Sequence, residues 1–181
     1  LASATPQLLV STGAGEVMAS DVEGGRLLLV RGVPGNRSDV EVRDTTTGTL
    51  TAARRMDGRV TAGLLVGDEV WLTLVRAAAG SVEVLSAASL LTAGQVQLRA
   101  EPTALTRVDE GVAVGTAEGL EVYTLRRELA ARLTLGNVQS LASARGRLHV
   151  IAAGLLLEVQ LDAALNATVV GAAQVPGATA V

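Results

Sequence analysis

One histidine, His149, is all that the 181 residues offer for imidazole chemistry, and cysteine is absent. Thiol catalysis, disulfides and cysteine-held metals are thereby excluded. So is a multi-histidine metal cage, and any Ser/His/Asp machinery would rest on His149 alone. His149 stands between Leu148 and Val150. In a strand it points away from their face, as a hydrogen-bonded or exposed strand histidine does. Carboxylates are more plentiful. Glu41, Glu83, Glu121 and Glu158 each sit in the middle of an apolar-Glu-Val triplet. At one radius of a ring they would make a cation site or an acidic groove. Strand alternation points to a plainer reading, with Val42, Val84, Val122 and Val159 in the core and the four glutamates outside.

The remaining candidates read in the same structural way. Asp21, Asp39 and Asp44 lie near turns with no Asp-x-Asp-x-Asp-Gly loop around them, so they are expected to cap turns rather than hold Ca²⁺. Gly13-Ala-Gly15 and Gly24-Gly25 precede no Lys-Ser or Lys-Thr pair and no strand–helix unit, which removes them as phosphate loops. Arg54-Arg55 and Arg126-Arg127 are expected at corresponding fourth-strand or connection positions of units one and three, where they could clamp an anion, but charge on an outer strand also blocks edge-to-edge pairing. Trp71, between Val70 and Leu72, reads as packing. Asn36-Arg-Ser38 and Asn166-Ala-Thr168 fit the glycosylation pattern, which a bacterial source would leave unused. No catalytic, cofactor-binding or metal-binding residue is assigned.

Composition narrows the function classes further. Fifteen basic residues, all Arg, face eighteen acidic ones, for a net charge of -3. That excludes a strongly basic nucleic-acid binder or a polybasic membrane anchor. The apolar fraction of 49% comes almost wholly from Ala, Val and Leu, with no Phe and single Ile, Trp and Tyr residues. Absent Lys and scarce Ile and Phe suggest a GC-rich bacterial genome. The charge-free run 163–181 holds Asn166, Thr168, Gln174 and Pro176, a poor membrane span. The uncharged start, Leu1 to Gly15, lacks the basic flank and apolar run of an intact signal peptide.

The elements that must position these residues emerge from an internal repeat. The four glutamates are spaced by 42, 38 and 37 residues. Each triplet follows an apolar run: Arg26–Val30, Glu69–Val75, Gly111–Gly115 and Arg147–Ile151. Each unit opens on Val17-Met-Ala-Ser, Val60-Thr-Ala-Gly, Pro102-Thr-Ala-Leu or Val138-Gln-Ser-Leu, and each triplet precedes Leu50-Thr-Ala-Ala, Leu91-Thr-Ala-Gly, Leu129-Ala-Ala-Arg or Leu165-Asn-Ala-Thr. The units run 17–59, 60–101, 102–137 and 138–175. Short Val- and Leu-rich segments between Gly, Asp and Asn turns predict strands near 26–30, 39–43, 69–75, 81–85, 111–115, 119–125, 147–152 and 155–161. Arg126 to Leu135 has helix-forming residues, but its place in the repeat argues for a strand with its connection.

Four strands at a period near 40 are the mark of a β-propeller blade. The chain resembles the bacterial propeller repeats of quinoprotein-like, YVTN and WD-repeat kinds. Asp44-Thr-Thr-Thr-Gly48 resembles the Asp-x-x-Thr-Gly turn between the third and fourth strands of a quinoprotein-like blade. The blade tryptophan of quinoprotein repeats and the Gly-His and Trp-Asp pairs of WD repeats are missing. The expected fold is all-β: about four four-stranded antiparallel blades forming part of a larger ring. A leading strand at 7–12 and a trailing strand at 178–181 would lie outside them. What the resemblance implies is a non-catalytic scaffold for protein–protein interaction, placed outside the cytoplasm in a bacterial cell envelope. Its partner would be another protein or further blades. Binding would fall on turns such as Gly32–Ser38 and Arg76–Gly80, because blade-connecting loops vary without disturbing the sheets. The alternatives are a structural part of a larger surface assembly and a quinoprotein-like enzyme domain. No cofactor, nucleic acid or membrane insertion is expected.

Overall fold

The computed structural model describes residues 16–77 and 79–175. The strands expected at 7–12 and 178–181, and Gly13-Ala-Gly15, lie outside the described residues. Sixteen strands and no helix make up the described chain. The first sheet holds β1 (Glu16–Glu23), β2 (Arg26–Val33), β3 (Arg37–Asp44) and β4 (Leu50–Asp57). The second holds β5 (Arg59–Val66), β6 (Glu69–Arg76), β7 (Ala79–Ser86) and β8 (Thr92–Gln97). The third holds β9 (Pro102–Val108), β10 (Gly111–Thr116), β11 (Gly119–Thr124) and β12 (Leu129–Thr134). The fourth holds β13 (Val138–Ala144), β14 (Arg147–Ala152), β15 (Leu155–Leu161) and β16 (Ala167–Gln174). Each sheet is an antiparallel meander in chain order. The eight strands expected from sequence are the second and third of each sheet, and the Arg126–Leu135 segment is a turn followed by β12.

Each blade turns one face to the blade before it and one to the blade after it. The register assigns the residues. Leu28 pairs with Val42 and Val30 with Val40 on the forward face of the first blade. They pack against Val70, Leu72, Leu74 and Leu85, the backward face of the second. The forward face of the second blade, Trp71, Val82 and Val84, meets Val112, Val114 and Tyr123 of the third. Ala113, Leu120 and Val122 of the third meet Leu148, Val150, Leu157 and Val159 of the fourth. Leu, Val and Ala fill these layers, with Trp71 and Tyr123 the aromatic members, both buried.

This packing corrects three expectations. The first concerns Glu83 and Glu121, which are buried rather than outside. An inner blade has no solvent face, so the side opposite Val84 or Val122 is the backward interface. Glu41, in the first blade, keeps only 12% of its side chain exposed.

The second correction is a register slip in the fourth blade. Ala19, Ala62, Ala104 and Ser140 pair with Val30, Thr73, Gly115 and Ile151. That makes Leu28, Trp71, Ala113 and His149 equivalent. Their third-strand partners are Val42, Val84, Val122 and Glu158. Glu158 therefore occupies the place of the core valines, and Leu157 the place of the other three glutamates. Val159 is fully buried, but it faces back toward the third blade. A one-residue shift exchanges the two faces of a strand.

The third correction concerns the turns into the fourth strands. Backbone bonds Gly48 N–H to Asp44, Leu90 to Ser86, Arg127 to Thr124 and Leu165 to Asp162 mark equivalent residues. All four have positive φ, from 55° to 71°. Leu165 thus corresponds to Leu90 in the turn, and not to Leu50 in the strand. Leu90 and Leu165 are buried against the preceding blade. Leu165 also sets the size of its neighbour. A methyl on Gly111 would stand 2.8 Å from Leu165 Cδ1 and 2.2 Å from the Tyr123 carbonyl oxygen.

Blade interfaces run first to second, second to third and third to fourth, the inner strands β1, β5, β9 and β13 lying side by side. Among the described residues no interface of that extent joins the first blade to the fourth. Leu148 and Val150 are committed to the third blade.

Candidate functional site

The carboxylates singled out by the repeat are bound into ion pairs within their own blades. Glu83 pairs with Arg76 at 2.6 Å. Glu121 accepts from Arg132 Nε at 2.8 Å and from the Tyr123 hydroxyl at 2.5 Å. Glu41 accepts two bonds from Arg43, at 2.8 and 3.0 Å, and one from Arg31. Glu158 pairs with Arg147 at 2.8 Å. A buried carboxylate needs such a partner to offset its desolvation. The four do not converge on a ring site. Burial, with the bond to Glu121 second, pushes the Tyr123 hydroxyl far above its ordinary range.

The aspartates divide. Asp44 caps its turn as expected, accepting from the Thr46 and Thr47 amides at 2.9 and 2.7 Å and from the Thr47 hydroxyl at 2.9 Å. Asp162 does the same in the fourth blade, for Ala164 and Asn166. Threonine and asparagine donors hold both carboxyls below the usual carboxylate range. Asp39 and Asp21 are not turn caps. Asp39 is a β3 residue in a two-bonded pair with Arg55, at 2.7 and 2.9 Å, which also lowers its pKa. Asp21 reaches across the first interface to the Leu65 amide at 2.7 Å, and Glu23 to that of Gly67 at 2.8 Å. β1 thus holds β5 through carboxylates as well as packing.

The arginine pairs do not correspond. Arg54 and Arg55 lie on β4, and Arg54 donates to the Leu90 carbonyl of the second blade at 2.8 Å. Arg126 and Arg127 lie in the β11–β12 turn. Arg127, at the inserted turn position, bonds Glu69 of the second blade, and Glu69 accepts the Trp71 Nε1–H at 3.0 Å. Trp71 is packing, as expected. His149 is half-buried on β14, opposite Glu158 on one side and Ala142 on the other. Among the described residues no three His, Asp or Glu side chains are grouped as metal ligands require.

The two turns nominated for binding do come together. An open groove of about 450 Å³ is lined by Gly35, Asn36 and Arg37 of the first blade, Asp57 and Gly58 of the connection, and Arg76 and Ala77 of the second. Local bonds set its walls. Gly58 N–H bonds the Asn36 carbonyl, the Ser38 hydroxyl bonds both the Gly58 carbonyl and the Val60 amide, and Arg76 Nε bonds the Asp57 carbonyl at 2.7 Å. Pro34 to Arg37 are exposed above this base. Sequence reasoning missed a second groove of about 280 Å³ at the opposite end, between Asp109, Glu110, Arg147 and Asp162. The turn dipeptides Asp109-Glu110 and Arg145-Gly146 were its only trace.

Four four-stranded meanders packed face to face define a β-propeller. Solved structures similar to the chain are of that kind. The Myceliophteria thermophila Cps50 (Swd1) β-propeller domain matches with a TM-score of 0.72 and 14% identity, over 91% of this chain and 60% of that one. BamB from Moraxella catarrhalis matches with 0.71 and 13%, over 91% and 54%. The computationally designed Ika4 protein matches with 0.66 and 18%, over 94% and 99%. At such identities the likeness is one of fold. The chain spans about 60% of the Swd1 domain. No family model and no curated protein matches the sequence.

Proposed function

We propose that this chain is a non-catalytic propeller scaffold that binds a protein partner over the Pro34–Arg37 and Arg76 turns. The observation that carries the reading is the open groove between those turns, whose base is fixed by backbone bonds and whose rim is exposed. A rigid base with a free rim limits the ordering cost of association. The ionisable residues that could have served chemistry are instead spent on blade packing, in the Glu83–Arg76 and Glu121–Arg132–Tyr123 sets. The reading extends to a bacterial cell envelope through the resemblance of the Asp44–Gly48 turn to quinoprotein-like blades.

The test is affinity capture from a bacterial envelope extract with the parent chain and with Arg37→Glu. Arg37 is exposed, so the variant keeps the fold. Proteins held by the parent and lost by the variant support the reading. Capture that is identical for both chains contradicts it.

A further inference from the structure

The turns between first and second strands allow the three blade interfaces to be compared place by place. Glu23 pairs with Arg26, Val66 with Glu69, Val108 with Gly111 and Ala144 with Arg147, each pair flanking a two-residue turn. At the first interface Arg26 crosses to Asp68 at 3.1 Å and to the Gly67 carbonyl at 2.5 Å. At the second, Glu69 stands in the place of Arg26 and accepts from Arg127 of the next blade at 2.5 Å. An arginine–carboxylate bridge thus closes this end of both interfaces. At the third, each bridging position has lost its charge. Gly111 stands for Arg26 and Glu69, Gly146 for Asp68, and Leu165 for Arg127. No ion pair among the described residues joins the third and fourth blades at this end.

The groove of about 280 Å³ lies at this unbridged end, over an apolar floor of Val108, Leu161 and Leu165. A Cβ on Gly146, at its edge, would meet nothing within 4 Å. The third-blade bank carries Asp109 and Glu110, in the places of Gly24-Gly25 and Gly67-Asp68. Both are exposed, and neither pairs with a cation among the described residues. The cations nearby do not answer them. Arg147 is held on Glu158 at 2.8 Å, and Arg145 is exposed at the tip of its turn and does not line the groove. Asp162, on the far bank, is engaged by the amides of its own turn. Small-molecule sites run to roughly 300–1,000 Å³, so this groove suits one long side chain rather than a cofactor. Two uncommitted carboxylates above an apolar floor complement a guanidinium on an aliphatic stem. We propose that the groove docks an arginine side chain of a protein partner, which supplies from outside the bridge that Arg26 and Arg127 supply at the other two interfaces. Lysine lacks the planar fork that matches a carboxylate. The site is separate from the groove at Arg37 and does not rest on it.

Titration of the isotope-labelled 181-residue chain with the peptide acetyl-Ala-Arg-Ala-amide, followed by amide NMR shifts, tests it. The expected result is saturable binding at millimolar peptide. The shifts should be confined to Asp109–Gly111, Gly146 and Asp162–Leu165. The peptide acetyl-Ala-Glu-Ala-amide should produce none. Asp109→Asn combined with Glu110→Gln should weaken the arginine peptide by about tenfold, as the loss of two exposed charge pairs does. Glu128→Gln removes an exposed carboxylate in the β11–β12 turn and should leave binding unchanged. The same spectra show that each variant is folded. Shifts that do not saturate, shifts scattered over other acidic turns, or equal binding by the double variant overturn the proposal. Loss of partner capture on Arg37→Glu with peptide binding intact concerns the other groove alone.

Discussion

At the scale of the residue, the account turns on which charges are buried and with what. Glu83 is 5% exposed and pairs with Arg76. Glu83→Gln keeps the shape but removes a charge-assisted bond, with an expected loss of about 1–2 kcal/mol in urea unfolding. Removing Arg76 instead strands a buried carboxylate and should cost more. Tyr123 gives a spectroscopic handle, because it is the chain's single tyrosine. Its pKa is raised in the fold, so the neutral phenol is the form the fold favours. The stability it contributes is present below the unfolded value of about 10 and lost as pH rises beyond it. Absorbance at 295 nm should therefore stay low past that pH and rise together with unfolding. A simple titration at about 10 in the folded protein would contradict the burial. Asp39, Asp44 and Asp162 have the opposite sign. Their lowered values support the fold above the unfolded carboxylate pKa of about 4, and that support fades as acid takes pH below it.

At the scale of the element, the middle strands of each unit were legible from sequence, and the alignment of the turns into the fourth strands was not. β6 and β10 are buried on both faces and read as nearly continuous apolar runs, while β7 and β11, equally buried, were marked by the apolar-Glu-Val triplet. The fourth strands are mostly exposed, and their Leu-Thr-Ala-like starts aligned by letter rather than by position. What the letters hid is a turn residue at positive φ that points back at the preceding blade. Gly48 suits that backbone, but Leu90, Arg127 and Leu165 share the position without sharing chemistry. Leu90 carries the most consequence, being fully buried. Leu90→Ala should lose about 2–4 kcal/mol of unfolding free energy, as other buried leucine truncations do. A loss no larger than that of an exposed leucine such as Leu91 would show that the turn does not insert.

At the scale of the whole molecule, the fold is an ordered stack in which each forward face meets the next backward face. The sequence carried a sign of the slip in that stack. Other markers of the third and fourth units, Pro102 and Val138 or Gly111 and Arg147, lie 36 residues apart, whereas the glutamate triplets lie 37 apart. The extra residue is the one by which Leu157-Glu158-Val159 is displaced on its strand. The triplet placed Val159 in the core and Glu158 outside, as the structure has them, but it could not tell which interface the valine faces, because Leu-Glu-Val alternates equally well in either register. Only the pairing of β14 with β13 decides between them. The most direct test of the stack is chemical unfolding followed by Trp71 fluorescence, for Leu157→Asp beside Glu158→Leu. The account predicts that Leu157→Asp loses at least about 3 kcal/mol, as an unpaired charge against the third blade, while Glu158→Leu stays within about 0.5. A neutral Leu157→Asp with a severe Glu158→Leu would put the glutamate against the third blade and contradict the order of faces.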